Sequence, residues 1–364
     1  DDTKIRLCEI NCLTGYLQND MPGWDFAAEF KSLAEGGYEH GWIDENWERT
    51  FKRLVDKVMT KEPLPDFLTF EEYIAEGLWL TAGSSSIGKV AWEKGEEKGT
   101  FKARKNMLTE FYTDIELVAL VDAWDGILLS KVFTKDELSK RRLAVASNIE
   151  AYLSESWILY LFGHGFKNHA YITLDETPKA QHERTSRLIQ HLANGSFCLP
   201  FDFKGFDHQP TIPEVQTIIS NITNTASSKC PPQYLPRFKK MAARMVNSYA
   251  HGIIINPMTK ERLHQTGGIP SGVRPTSLIG NEWNAIMTTR CREITRLIMK
   301  TDMIQEIGIK GDDTYVVSRN PIALIVFRLA YASINAIGLD SKFGISQNIC
   351  EFLRNEITPK GSQG

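Results

Sequence analysis

The run Ile307-Gly-Ile-Lys-Gly311-Asp312-Asp313-Thr-Tyr-Val-Val317 sets two apolar, strand-like halves around a Gly-Asp-Asp turn. That is the pattern of a β-hairpin with two carboxylates at its tip. Adjacent ionised carboxylates repel each other unless cations neutralise them, and hard oxygen ligands of this kind suit Mg²⁺ or Mn²⁺. A short Asp-rich turn also occurs in hairpins that do no chemistry, so its meaning depends on its surroundings.

Upstream, Cys198-Leu-Pro-Phe-Asp202-Phe-Lys-Gly-Phe-Asp207 reads as an apolar strand ending in one Asp, with a second Asp five residues on. A strand end can present Asp202 beside the hairpin tip. Carboxylates from two strands can then hold two metal ions, the arrangement that activates an attacking hydroxyl and stabilises the leaving oxygen in phosphoryl transfer. Between these stretches lies Gly267-Gly-Ile-Pro-Ser271-Gly272-Val-Arg274-Pro-Thr276-Ser-Leu-Ile-Gly280-Asn281-Glu-Trp-Asn284, a Gly-rich loop running into a long helix. Such a loop lets backbone approach a ligand closely, and the first helical turn aims hydroxyls and amides into the same space. A plain Gly/Pro loop with a helix cap is the alternative.

Strand-Asp-x4-Asp, then Ser-Gly-x3-Thr, then Gly-Asp-Asp resembles, in order and spacing, palm motifs A, B and C of RNA-dependent RNA polymerases. Lys135-Asp-Glu137-Leu-Ser-Lys140-Arg-Arg142 resembles motif F, Cys350-Glu351-Phe352-Leu353-Arg354 motif E, and Thr81-Ala-Gly83-Ser-Ser more weakly motif G. The set looks most like the polymerases of totivirus-like double-stranded RNA viruses and covers about three quarters of the chain. The resemblance implies that Asp202 and Asp312 bind both metals, Asp313 is a weaker ligand, and the Phe203 carbonyl completes a shell. It implies that Lys140 and Arg142 reach over the incoming triphosphate and that Asp207 senses the ribose 2′-hydroxyl. Ser271 and Gly272 would sit against the nascent base pair, with Thr276 positioning the Asp207 network and Lys135 and Arg274 also touching RNA. The motif B Asn of the family falls at Gly280, leaving either Asn281 in its role or ribose selection resting on Asp207 and Thr276. Lys342 stands near the place of the motif D lysine at an imperfect spacing.

The implied fold is α/β of the α+β kind: a right-hand polymerase palm with an antiparallel sheet and mostly helical fingers, the thumb largely absent. Residues 1–195 would form fingers and an N-terminal helical region with motifs G and F. Residues 196–364 would form the palm with motifs A to E and a fingers insertion at about 208–265. The chain opens on Asp rather than Met and stops ten residues past motif E, so it is expected to be a piece of a longer protein. Implied partners are RNA template and nascent RNA, nucleoside triphosphates and a viral capsid protein, with no membrane, in the virion interior and host cytoplasm.

Composition agrees with a packed enzyme and does not by itself point to nucleic acid. The chain has 364 residues, 42% hydrophobic and 24% charged, with a formal charge of −3, so RNA contact must come from local basic clusters. Six scattered cysteines, of which only Cys8 and Cys12 are close, give neither a zinc pattern nor a disulfide framework. Helical spacing is read over residues 1–75, as at Trp42, Trp47, Phe51, Leu54, Val55 and Val58, and at Met107 to Leu129, Ile212 to Ala226, Tyr234 to Tyr249, Thr276 to Lys300 and Ile322 to Ile337. Strands are read at Phe197 to Phe203, Ile304 to Lys310 and Thr314 to Ser318, and an exposed loop at Glu93 to Asn106. Basic residues Arg237, Lys239, Lys240, Arg244, Arg292, Arg296 and Lys300 are either channel-lining or solvated. Gly83-Ser-Ser-Ser-Ile-Gly88-Lys89 satisfies the Gly-x4-Gly-Lys of a P-loop, but Val90 replaces the Mg²⁺-binding hydroxyl. A reverse transcriptase shares the metal site but has a bulky sugar gate where this chain has Asp207, and a non-catalytic RNA-binding protein is the third alternative.

Overall fold

The hairpin and the strand upstream of it form one antiparallel sheet. The computed structural model describes residues 24–59, 65–81, 84–94, 97–137, 140–340 and 344–363, and its elements run as follows. Ahead of the sheet come α1 (Phe26–Ala34), α2 (Trp47–Val58), α3 (Phe70–Ala75), β1 (Ser84–Lys94), β2 (Glu97–Arg104), α4 (Asp114–Asp122), β3 (Leu129–Glu137), β4 (Lys140–Ser147), α5 (Ile149–Phe162) and α6 (Pro178–Ala193). Then follow β5 (Phe197–Phe201), α7 (Ile212–Ala226), α8 (Leu235–Ser248), β6 (Ile253–Ile255), β7 (Arg262–His264), α9 (Thr276–Met299), β8 (Ile304–Lys310), β9 (Asp313–Ser318), α10 (Pro321–Ser333), β10 (Cys350–Phe352), β11 (Asn355–Thr358) and β12 (Gly361–Gln363).

The central sheet has the order β5-β9-β8, antiparallel throughout, with Phe201 opposite Thr314 and Lys310 opposite Asp313. Phe197–Phe201 and the middle of β9 are apolar and mostly buried because both faces of the sheet are covered. One face meets α9 and α10, and the other meets α6 and the β10-β11-β12 sheet through Leu188, Leu192, Cys198, Tyr315, Val317 and Phe352. A second sheet, β4-β3-β6-β7, is mixed, β3 and β6 running parallel. One buried cluster extends from Phe30 through α5, α7 and α9 to Ala336.

Burial of apolar faces holds the helices, and a buried carboxylate links three of them. Thr211 and Glu214 form a capping box at the start of α7. Glu214 also accepts the indole N–H of Trp47 at 2.7 Å and of Trp283 at 3.1 Å, and contacts His40 Nδ1 at 3.0 Å. One side chain thus ties α2, α7 and α9 together, and α9 carries the residues that face the hairpin.

Several expectations change. Glu93 to Asn106 is mostly the β1–β2 hairpin rather than a loop. Gly88 and Lys89 lie within strand β1, so this stretch is not the loop-and-helix of a P-loop. Trp42 is 64% exposed instead of packed. Met107 to Leu129 divides into a short 3₁₀ turn, α4 and the first residue of β3. Cys8, Cys12, Gly83 and Lys342 lie outside the described residues. Among the described residues no helix is long and apolar enough to cross a membrane.

Candidate active site

Gly311 occupies the first turn position of the β8–β9 hairpin with φ +64, the left-handed conformation that a two-residue hairpin turn demands and glycine adopts without strain. Asp312 follows at the tip and Asp313 begins β9. On the neighbouring strand the last paired residue is Phe201, opposite Thr314, so one further step of the register brings Asp202 level with Asp313. Asp202 is held from its other flank, where its carbonyl accepts the N–H of Leu339 at 2.8 Å. The carboxylates therefore come together through strand register.

Asp202 borders two adjoining cavities. The larger, about 410 Å³, is lined by Asp202, Asp312, Asp207, Arg142, Ser271 and Thr276 among others. The smaller, about 170 Å³, is lined by Asp202, Asp313, Glu351 and Phe352 with neighbouring backbone. Successive residues Asp312, in the turn, and Asp313, at the start of β9, thus border different cavities beside Asp202. The Phe203 ring is buried against Phe201, Phe206, Trp283 and Tyr331, which leaves its main chain as the part that reaches the larger cleft.

Asp207 sits in the 3₁₀ turn Phe206–His208, its carbonyl accepting Ile269 N–H at 2.7 Å. Burial and the nearby charge of Asp312 push its carboxyl up to about 6, against the opposing pull of His208, Arg142 and Lys135. Negative charge accumulates here and basic groups face it across the cleft.

The basic side is the β3–β4 hairpin. Lys135 and Arg142 are exposed and paired in register, and Arg142 lines the cleft. Lys140 lies on β4, its side chain outside the described residues. Val145 of the same strand donates to the Ser271 carbonyl at 2.8 Å, and a Cβ at Gly272 (φ +118) would stand 2.2 Å from the Val145 carbonyl oxygen. Gly272 is thus a close-approach glycine that docks the loop on β4. Arg274 is exposed beyond the cleft lining, its charge felt by Glu155, Lys105 and Tyr73.

Asn281 requires correction. It is 1% exposed, its amide donates to Ser277 O at 2.7 Å and its Oδ1 accepts Gly311 N–H at 2.9 Å. Both of its polar ends are committed to backbone, and it does not line the cleft as a nucleotide-binding residue would. One residue along a helix turns the side chain by about 100°, so an Asn displaced by one position leaves the face it was expected on. Gly280 keeps that face, and Phe206 fills the space, its ring 3.0 Å from where a Cβ would be. The Thr276 hydroxyl reaches Val273 O at 2.9 Å and Pro270 O at 3.1 Å, so it braces the loop while lining the cleft. Of the basic helix residues, Arg237 pairs with Glu71 and Asp122, Arg244 with α4 carbonyls, and Arg292 with Asp302 and Tyr171. Those are bracing contacts between elements.

The sequence gives no role to His208, Ser277, Glu351 and Asn284. The first three are polar residues in or beside recognised motifs, and their direction depends on local backbone geometry. Asn284 was quoted in the loop-to-helix stretch, and only its spacing of three from Asn281, which places both on one helix face, signalled a shared task.

Among the described residues no group of three acidic, His or Cys side chains is gathered into a ready metal cage. The donor set on the cleft wall is nonetheless hard oxygen: two carboxylates, Asp202 and Asp312, and the Phe203 main chain. Mg²⁺ characteristically binds through one or two carboxylates together with water and substrate phosphate rather than an all-protein cage. The residues fit such an ion.

A family model described as viral RNA-directed RNA-polymerase matches residues 119–364. The probable RNA-directed RNA polymerase of Giardia lamblia virus (isolate Wang) is 23% identical over 295 residues, covering 80% of this chain and 15% of that protein. The chain therefore spans a small part of the length of this curated relative. Among solved structures, the RNA-dependent RNA polymerase of a human picobirnavirus superposes with a TM-score of 0.56 at 12% identity, over 92% of this chain and 60% of that one. Its insertion-loop deletion mutant gives 0.57 at 12% identity, over 92% and 62%. The likeness extends to the fold.

Proposed function

The chain belongs to the viral RNA-directed RNA-polymerase family, and we propose that it joins ribonucleotides on an RNA template by in-line attack of a 3′-hydroxyl on the α-phosphate of a templated nucleoside triphosphate. The observation that carries this reading is the convergence of Asp202, Asp312, Asp207, Arg142 and Ser271 on one cleft of about 410 Å³. Asp202 and Asp312, with the Phe203 main chain and Asp313 on the adjoining side, would hold Mg²⁺ or Mn²⁺. A divalent ion there supplies Lewis-acid stabilisation of the attacking and leaving oxygens.

The protein's own part is placement and charge. Arg142 reaches the cleft from the β3–β4 hairpin as a cation for the triphosphate, with Lys140 on the same strand and Lys135 opposite, and charge-assisted contacts there neutralise the leaving pyrophosphate. Ser271, docked on β4 through its carbonyl, bears on the nascent base pair, and Gly272 and Arg274 carry the loop toward RNA. With Asn281 facing the hairpin turn, ribose recognition rests on Asp207 and on Thr276, both of which line the cleft. RNA template and nascent strand, nucleoside triphosphates and a viral capsid protein are the proposed partners, in the virion interior and the host cytoplasm.

The test is primer extension on a defined RNA template with Mg²⁺, comparing the chain with its Asp312→Ala variant. Templated ribonucleotide incorporation that the variant loses is the expected result. Preferential incorporation of deoxyribonucleotides would move the assignment to a reverse transcriptase, and RNA binding with no incorporation to a structural role.

A further inference from the structure

Asn284 is fully buried on α9, and both hydrogens of its amide go to the hairpin: to Gly311 O at 2.8 Å and to Thr314 Oγ1 at 2.8 Å. These two contacts bracket Asp312 and Asp313 in sequence, so a single carboxamide spans the turn that presents both carboxylates. With Asn281 accepting from Gly311 N–H at 2.9 Å, both polar groups of the Gly311 backbone are taken by α9.

The orientation of that carboxamide is itself determined. Asn284 Oδ1 accepts from the Thr288 hydroxyl at 3.0 Å, and Thr288 Oγ1 lies 2.6 Å from the Tyr331 hydroxyl. Thr288 has one hydroxyl hydrogen and gives it to Asn284, so Tyr331 is the donor to Thr288. The chain of bonds therefore has one direction, Tyr331 to Thr288 to Asn284 to the turn. Flipping the amide would set its oxygen against the Gly311 carbonyl. The Tyr331 ring also stacks on Phe201, centroids 4.0 Å apart at 16°, and Phe201 immediately precedes Asp202. One residue of α10 is thus seated on the strand that leads into Asp202 while its hydroxyl begins the relay that ends at Gly311 and Thr314, on either side of Asp312 and Asp313.

We propose that Asn284, oriented by Thr288 and Tyr331, is a positioning residue that sets the spacing of the Gly311–Asp313 turn from Asp202, and with it the geometry offered to the divalent cations. This rests on the polymerase reading for its catalytic consequence, but its structural claim stands on the hydrogen bonds alone. Asn284, Thr288, Tyr331 and Thr314 are all buried, so deleting a partner among them leaves a polar group unsatisfied away from solvent. Metal and catalytic constellations tolerate displacements of only about 0.5 Å, which is the scale on which such a loss acts.

The experiment uses the full chain and four near-isosteric variants: Asn284→Asp, which replaces the two donated hydrogens with a carboxylate oxygen; Thr288→Val, which removes the hydroxyl; Thr288→Ser, which restores it; and Tyr331→Phe, which keeps the stack. Mn²⁺ affinity is read from the spin resonance of free Mn²⁺, incorporation from kcat and KM for nucleotide, and folding from thermal melting. Expected for Asn284→Asp is a loss of about tenfold in Mn²⁺ affinity and about a hundredfold in kcat, with nucleotide KM within about twofold. Thr288→Val and Tyr331→Phe lose about tenfold in kcat, and Thr288→Ser recovers most of it. The proposal is overturned if Asn284→Asp and Thr288→Val keep parental Mn²⁺ affinity and kcat, whatever their melting temperature, or if Thr288→Ser is as poor as Thr288→Val. A parent that incorporates nothing, yet loses Mn²⁺ affinity in Asn284→Asp as it does in Asp312→Asn, would defeat the polymerase reading and uphold the relay.

Discussion

On the acidic side of the cleft, Asp202 leaves a strand paired with β9 and is tied by its carbonyl to Leu339, while Asp312 stands on a turn whose backbone is gripped by two Asn side chains. On the basic side, Lys135 and Arg142 are exposed on the β3–β4 hairpin. That hairpin joins the rest of its sheet only through β3, whose pairing with β6 covers Leu129 to Lys131. The difference follows from the two tasks. Ligands of a divalent ion must be placed to a fraction of an ångström, whereas neutralising a triphosphate requires charge within a screening distance and tolerates motion. Substitutions should therefore be all-or-none on the first side and graded on the second.

The largest effect belongs to the carboxylates. Asp202→Asn and Asp312→Asn keep shape and remove charge, and each is expected to lower kcat by at least about a thousandfold, with RNA affinity unchanged or slightly higher. Primer extension beside a filter-binding titration checks this. A loss below tenfold for Asp312→Asn would erase the distinction between the two sides.

Next comes a prediction about stability at the root of the basic side. Glu155 on α5 is fully buried, accepts the Tyr249 hydroxyl at 2.9 Å, and burial pushes its carboxyl up to about 7. The folded state thus holds the proton more tightly than the unfolded chain. Its contribution is complete below the ordinary carboxylate pKa and is lost as pH rises through about 7. Glu155→Gln removes that dependence. At pH 8 the variant is expected to be more stable than the parent by on the order of 2–3 kcal/mol, and near pH 4 no more stable. Urea unfolding at the two pH values decides it, and a gain of equal size at both would show that the carboxyl's charge is not the cause.

Much of this architecture was legible in the sequence, and what was not has identifiable reasons. Helix α7 begins and ends where its apolar spacing predicted because Thr211, Pro213 and Glu214 write an unambiguous start. The Gly-Asp-Asp hairpin was equally clear, since glycine at its first turn position leaves little choice. Glu93 to Asn106 reads as a loop because its Lys- and Glu-rich run gives none of the apolar alternation by which strands are recognised, although most of it belongs to the β1–β2 pair. The site's acidic residues could be named from motif order, but the direction of a helical side chain could not, and so Asn281 was assigned to the cleft while the hairpin clamp formed by Asn281 and Asn284 went unseen.

Arg142 separates the two sides at intermediate scale. It lines the cleft from an exposed position, so Arg142→Ala is expected to raise nucleotide KM about tenfold while kcat falls less, and Arg142→Lys to recover part of the loss. Raising the ionic strength should narrow the gap between parent and variant, because a solvent-facing charge is screened. A kcat defect insensitive to salt would instead place this arginine among the rigidly held groups.

Lys135 gives the smallest effect and the sharpest comparison. It stands opposite Arg142 in the same register, and its charge reaches Asp207, where it opposes the upward shift of that carboxyl. Yet it does not line the cleft, so it acts only through the field it adds. Removing one exposed charge at such a remove changes nucleotide binding by roughly twofold to threefold. Lys135→Ala should therefore raise KM by that factor at low salt and by nothing measurable at high salt, with kcat unchanged. If Lys135→Ala matched Arg142→Ala in size, the two cations would be acting as one rigid clamp on the phosphates, and the basic side would be built as exactingly as the acidic one.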